Sequence, residues 1–189
     1  MPLPDANELR RALDEYPAAV ERQGVAKLPE WDRWYREELP GLIAARKTAH
    51  LTHAELVRLT EWKMARGVWR APNLVLVRGN DPSVVEETST RAFAKIPHPT
   101  APISELAKLK GVGPATASAA AAAAAPDLYP FFDEIVAAQL PGLGPVAWTL
   151  GYYARYADAL RTAAKDLGGE WTPTLLERAL WSKGTEAQR

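Results

Sequence analysis

Residues 119–125 are seven consecutive alanines, and Pro114 stands just ahead of them behind Gly111 and Gly113. Alanine is the strongest helix former, and its small side chain lets neighbouring helices approach closely. The segment therefore reads as a close-packed central helix begun at Pro114. It is too short and too alanine-rich to cross a bilayer. Whatever the chain folds into is built round this helix.

Helical spacing dominates elsewhere as well. Leu9, Ala12, Leu13, Tyr16 and Val20 recur at intervals of three and four and predict a helix over residues 6–23 that Pro17 kinks or divides. Residues 29–49 predict two helical pieces broken at Pro40-Gly41. Thr52 with Glu55 forms a capping box that opens a helix to about Arg66, ended by Gly67. The apolar run 73–78 is compatible with a buried strand, but no partner strand exists, so it is expected as a short helix. Asp81 caps a helix to about Lys95, with Pro82 at its first position. Pro97, Pro99 and Pro102 read as a stiff linker before a helix from Ser104 to Lys110. Further helices are expected after Asp133, from Gly144-Pro145 to about Leu167, and from Pro173 to Trp181. The expected class is all-α.

The 189 residues suffice for one large domain or two small subdomains sharing a core, and 47% are hydrophobic, an ordinary value for a folded chain. No cysteine is present, which excludes disulfides and cysteine-ligated zinc or iron–sulfur sites. His50, His53 and His98 show no metal spacing, so neither metal nor cofactor is expected. The N-terminus lacks the pattern of a secretory signal, and a cytoplasmic, monomeric protein without membrane contact is the expectation. Basic and acidic residues balance at 23 each. This argues against a large basic footprint for duplex DNA, but not against a site that holds phosphate through backbone N–H groups.

Such a site is suggested by residues 103–117. A first helix presents Ile103, Leu106 and Leu109 on one face, and Val112 anchors a turn between two glycines. Gly111 and Gly113 are expected to supply unusual backbone angles there. Pro114 fits the first turn of the next helix, whose free N–H groups and positive dipole end make an anion site. Lys108 and Lys110 lie beside it for direct phosphate contact.

Residues 109–117 resemble the hairpin of the helix-hairpin-helix DNA glycosylase superfamily, the group of endonuclease III, MutY and the 8-oxoguanine glycosylases. In that superfamily an aspartate follows within a proline, two residues, aspartate segment. Pro130-Phe131-Phe132-Asp133 matches this form, with Asp133 eighteen positions after Ala115. Bifunctional members carry at position 115 a lysine that forms a Schiff base with the sugar, and this chain has alanine. The resemblance thus implies a monofunctional glycosylase acting on double-stranded DNA, lacking the iron–sulfur cluster. It implies Asp133 as catalytic residue and Lys108, Lys110, Gly111, Val112, Gly113, Ala115 and Thr116 as DNA contacts within a hairpin spanning 103–125. It also implies two helical lobes flanking a cleft, residues 50–129 against residues 1–49 plus 130–189, with Asp133 at the cleft mouth.

Asp133 has two compatible readings. It is a favoured N-cap for the helix that follows, and it can stabilise an oxocarbenium-like sugar and deprotonate water. Glu134 is a weaker candidate, expected to face away. Phe131 and Phe132 stand where the superfamily often has smaller residues. Trp62, Lys63 and Arg66, with Trp69 and Arg70 nearby, are candidates for a cleft that stacks on a base or touches phosphate; equally, Trp62 fits a core position and the cations a helix C-terminus. Tyr152, Tyr153 and Tyr156 read as packing residues. Residues 140–147 echo the hairpin, so a tandem, non-catalytic DNA-binding protein is the rival reading, and a protein-interaction domain a third.

Overall fold

The computed structural model describes residues 3–187, all of them in helices, turns or irregular segments with no strand among them. Twelve helices follow in order: α1 (Ala6–Asp14), α2 (Tyr16–Glu21), α3 (Leu28–Arg33), α4 (Leu39–Ala44), α5 (His53–Arg66), α6 (Ala71–Arg78), α7 (Pro82–Phe93), α8 (Ala101–Leu106), α9 (Pro114–Ala124), α10 (Glu134–Ala137), α11 (Leu150–Leu167) and α12 (Pro173–Ala187). The fold is all-α. No helix among the described residues is long and apolar enough to cross a membrane.

Local chemistry explains most boundaries. Pro17 divides the first stretch into α1 and α2. The Thr52 hydroxyl accepts from the Glu55 N–H at 3.2 Å, and the Glu55 carboxylate accepts from the Thr52 N–H at 2.9 Å, closing the box that starts α5. Residues 73–78 are helical, within α6.

Other boundaries depart from expectation. The break near Pro40 is a π turn at Trp34–Glu38, upstream of the proline, which lies in the first turn of α4. Proline offers no N–H and its ring crowds the carbonyl four residues back, so the preceding turn widens. α8 begins at Ala101, not Ser104, because the His98 imidazole Nδ1 accepts from the N–H groups of Thr100 and Ala101 and Pro102 fits the first turn. It ends at Leu106 rather than Lys110. α11 begins at Leu150, where the Thr149 hydroxyl accepts from the Tyr152 N–H, so residues 140–149 form no second helical hairpin. α12 continues past Trp181 because Ser182, Gly184 and Thr185 are still buried.

The buried side chains form one continuous core from Leu9 to Trp181. α12 packs against α1, α2, α10 and α11, while α5 packs against α3, α6, α7 and α9. α9 runs through the middle, touching α4, α5 and α8, and residues 115–123 are all buried. Only alanine, serine and threonine side chains clothe it there, so its neighbours rest almost on its backbone.

Candidate functional site

A cavity of about 310 Å³ opens at the N-terminus of α9, near the lower bound of typical ligand pockets. It is lined by Gly111, Gly113, Ala115 and Thr116 and by Lys63, Val68 and Arg70 at and beyond the end of α5. Phe131, Phe132, Asp133, Glu134 and the half-exposed Trp148 complete it. Gly113 caps α9 and no side chain satisfies its first turn. The Ala115 and Thr116 N–H groups and the positive dipole end thus lie in the cavity wall.

Asp133 is nearly buried and held on both oxygens. Oδ1 accepts from the Ile135 N–H at 2.8 Å and the Val136 N–H at 3.4 Å, capping α10. Oδ2 accepts from Arg66 Nε at 3.3 Å. Burial raises the Asp133 carboxyl above its ordinary range; Arg66 opposes that rise and the Glu177 charge adds to it. The preceding backbone is pinned by the aromatic face of α11, where Tyr156 donates to the Phe131 carbonyl at 2.6 Å and Tyr153 to the Pro130 carbonyl at 3.3 Å. Ser118 of α9 accepts from the Phe132 N–H at 2.9 Å.

Behind Asp133 lies a buried chain of charges. Arg66 donates to Glu177, which is fully buried on α12, and Glu177 also accepts from Arg36 at 2.9 Å. Tyr16 receives a hydrogen bond from Arg66 at 2.8 Å and donates to Asp32 at 2.8 Å, and burial pushes its hydroxyl up to about 12. Arg66 and Arg36 stay charged, because the carboxylates facing them outweigh burial.

The expected site residues therefore separate. Asp133, Gly111, Gly113, Ala115, Thr116 and Lys63 share the cavity. Lys63 is lowered from its usual range by burial and by Arg70 beside it. Lys108, Lys110 and Val112 are outside the wall. Lys108 pairs with Glu105 at 2.9 Å, Lys110 is exposed, and Val112 belongs to the core. Trp62 and Arg66 are not cleft residues. Trp62 stacks on Tyr35 at 3.6 Å and donates to Asp32, and Arg66 approaches Asp133 from the protein interior. Glu134, expected to face away, lines the cavity and is exposed.

The two glycines also differ. Gly111 has φ +74° and lies so close to α6 that a Cβ would meet the Asn73 carbonyl oxygen at 2.6 Å. Gly113 is ordinary extended backbone facing open space. Asn80, unmarked in the sequence, clamps this turn: its side chain accepts from the Lys110 N–H and donates to the Lys110 carbonyl, both at 2.9 Å. Glu177 had a legible signal, a carboxylate on the buried stripe of Leu176, Leu180 and Trp181. Trp148, in a loop, had none.

No family model matches the chain, and no curated protein or solved structure shows significant similarity to it.

Proposed function

We propose that the chain is a monofunctional DNA glycosylase of the helix-hairpin-helix type, hydrolysing the N-glycosidic bond of a damaged or mispaired base in base excision repair. The observation that carries this reading is the Asp133 carboxylate in the wall of a cavity that also contains the uncapped start of α9. A backbone phosphate held by the Ala115 and Thr116 N–H groups would bring the adjoining sugar towards that carboxylate. Ionised Asp133 would stabilise positive charge growing on the sugar and accept a proton from water. Its raised proton affinity makes it a better base than an exposed aspartate. Trp148, half-exposed at the cavity, offers aromatic surface to an extruded base, with the buried Phe132 ring packed behind it. Ala115 in place of an amine leaves the hairpin no nucleophile for strand cleavage there.

The decisive experiment measures free-base release from a mixed-lesion duplex library by wild type and Asp133→Asn, alongside duplex binding. The expected result is release that the substitution abolishes while binding persists. Equal release by both proteins removes Asp133 from the chemistry.

A second reading, a non-catalytic DNA-binding module, is favoured by one observation. Both Asp133 oxygens are occupied by partners that a purely structural cap would use. It predicts salt-sensitive duplex binding that weakens in Gly113→Glu and Lys110→Glu, with no base released by any protein.

A further inference from the structure

A second cavity, of about 210 Å³, lies at the opposite end of α9, against Ala122 and Ala123. Thr116 and Ala122 are six positions apart, so roughly 9 Å of helix stands between the two cavities. This one is closed on its polar side by Arg36 from the π turn and Arg178 from α12, with Thr172 and Thr174 at the start of that helix. Its volume admits only a small occupant.

The arginines there are incompletely satisfied. Arg36 is buried, and its Nε has no hydrogen-bond partner; the nearest carboxylate oxygen, on Asp32, is 3.9 Å away. The Arg178 Nε is likewise buried without a partner, and among the described residues its guanidinium makes neither a hydrogen bond nor an ion pair. It rests over the Tyr16 ring at 4.6 Å. Three of the four oxygens on the nearby carboxylates are already engaged. The Glu177 oxygens are taken by Arg66 and Arg36, and Asp32 Oδ1 accepts from both Tyr16 and Trp62. Two guanidiniums line this cavity, and that of Arg178 has no partner among the described residues, an arrangement that an oxyanion reaching its terminal nitrogens completes. Burial, and after it the neighbouring Arg36 charge, lower the proton affinity of Arg178, while Tyr16, Asp32 and Glu177 oppose that fall. Asp127, exposed at the rim, opposes a polyanion and favours a single anionic group.

We infer that the Arg36–Arg178 cavity is a binding site for a small oxyanion, a phosphate or carboxylate group of a free small molecule. It is separate from the Asp133 cavity and joined to it by the chain Arg36–Glu177–Arg66–Asp133.

The test is thermal unfolding of the full chain in inorganic phosphate or acetate, with ionic strength matched by chloride. The variant is Arg178→Met, which keeps an apolar stem over Tyr16. A site with anion at ten times its dissociation constant raises the midpoint by about 4 °C. The expected result is a saturable rise in wild type with at least one of the two anions, absent from the variant. General salt exclusion stabilises both proteins alike, so equal rises overturn the proposal, as does no rise with either anion. In wild type alone, the ¹⁵N–¹H Nε resonances of Arg36 and Arg178 are expected to move during the same titration, and stationary resonances overturn it even if the variant fails to fold. A third arm adds duplex DNA. Displacement of the anion by the duplex, with weaker duplex binding by Arg178→Met, would make these arginines a nucleic-acid contact and refute a small-molecule site.

Discussion

Replacing Glu177 with glutamine removes one charge, changes almost no volume and strikes the centre of the buried ionic chain. Glu177 has no solvent exposure and faces Arg66 and Arg36, one on each oxygen. At an effective dielectric near 20, a unit pair at 4 Å is worth about 4 kcal/mol, so the two attractions sum to about 8 kcal/mol. Returning the carboxylate to water in the unfolded chain recovers several kcal/mol of that. The glutamine amide also turns a donor towards one arginine. The net cost is about 3–5 kcal/mol, as for other buried pairs broken on one side. For a chain of this length that lowers the midpoint by on the order of 10 °C. Thermal and urea unfolding followed by circular dichroism give the number, and an unchanged urea slope shows that the native state is otherwise intact. Because the Glu177 charge helps raise the Asp133 carboxyl, its removal is also expected to move the Asp133 titration, followed by carbon-13 NMR, to lower pH. A loss below about 1 kcal/mol would show that both arginines relax to water freely, and the argument for a tightly coupled chain would fail.

Gly111→Ala is expected to cost about 3 kcal/mol from its left-handed backbone and the collision with Asn73 and Leu76. Gly113→Ala, extended and unobstructed, is expected to shift stability by less than about 0.5 kcal/mol; comparable losses in urea unfolding would refute this distinction. Glu105, ringed by Arg91, Lys95 and Lys108, has its carboxyl held down at about 2 from an ordinary 4.5, the hydrogen bond from Lys95 being the main cause. Its stabilisation is complete above pH 4.5 and is lost as pH falls through about 2, so Glu105→Gln is expected to flatten the acid limb of the stability profile. Asp133 has the opposite sign, with a native carboxyl raised above 3.8. Its contribution is fully present below 3.8 and is lost as pH rises through the native value. The stability of Asp133→Asn relative to wild type is therefore expected to improve between pH 3.5 and pH 7, and a flat difference in urea unfolding would contradict that.

The helical class and several helix starts were legible because their causes are local. The Thr52–Glu55 box, the first-turn proline of α7 and the alanines of α9 each act within a turn of chain. The π turn before Pro40 was not legible, since the strain is relieved upstream of the residue that creates it. Position within the site was legible only in part. Asp133 and the α9 turn do share a cavity, but Trp62 and Arg66 were read as candidates for an open face. Their spacing of four matches the buried stripe of Leu59 and Leu56. An arginine can follow such a stripe inward only when carboxylates wait there, and these come from residues 133 and 177, beyond the reach of any local pattern.

The alanine helix has one more consequence, in the currency of rotamer entropy. Alanine loses no side-chain freedom when it is buried, whereas leucine loses roughly 0.5–1 kcal/mol. From Ala119 to Ala123 the axis of the core therefore has no alternative side-chain arrangement to adopt. A leucine-lined helix can absorb a displacement at one end by switching rotamers midway. This one must move as a rod or not at all, which holds the spacing of the cavities at its two ends nearly constant and leaves the ionic chain on α5 and α12 as the adjustable route between them.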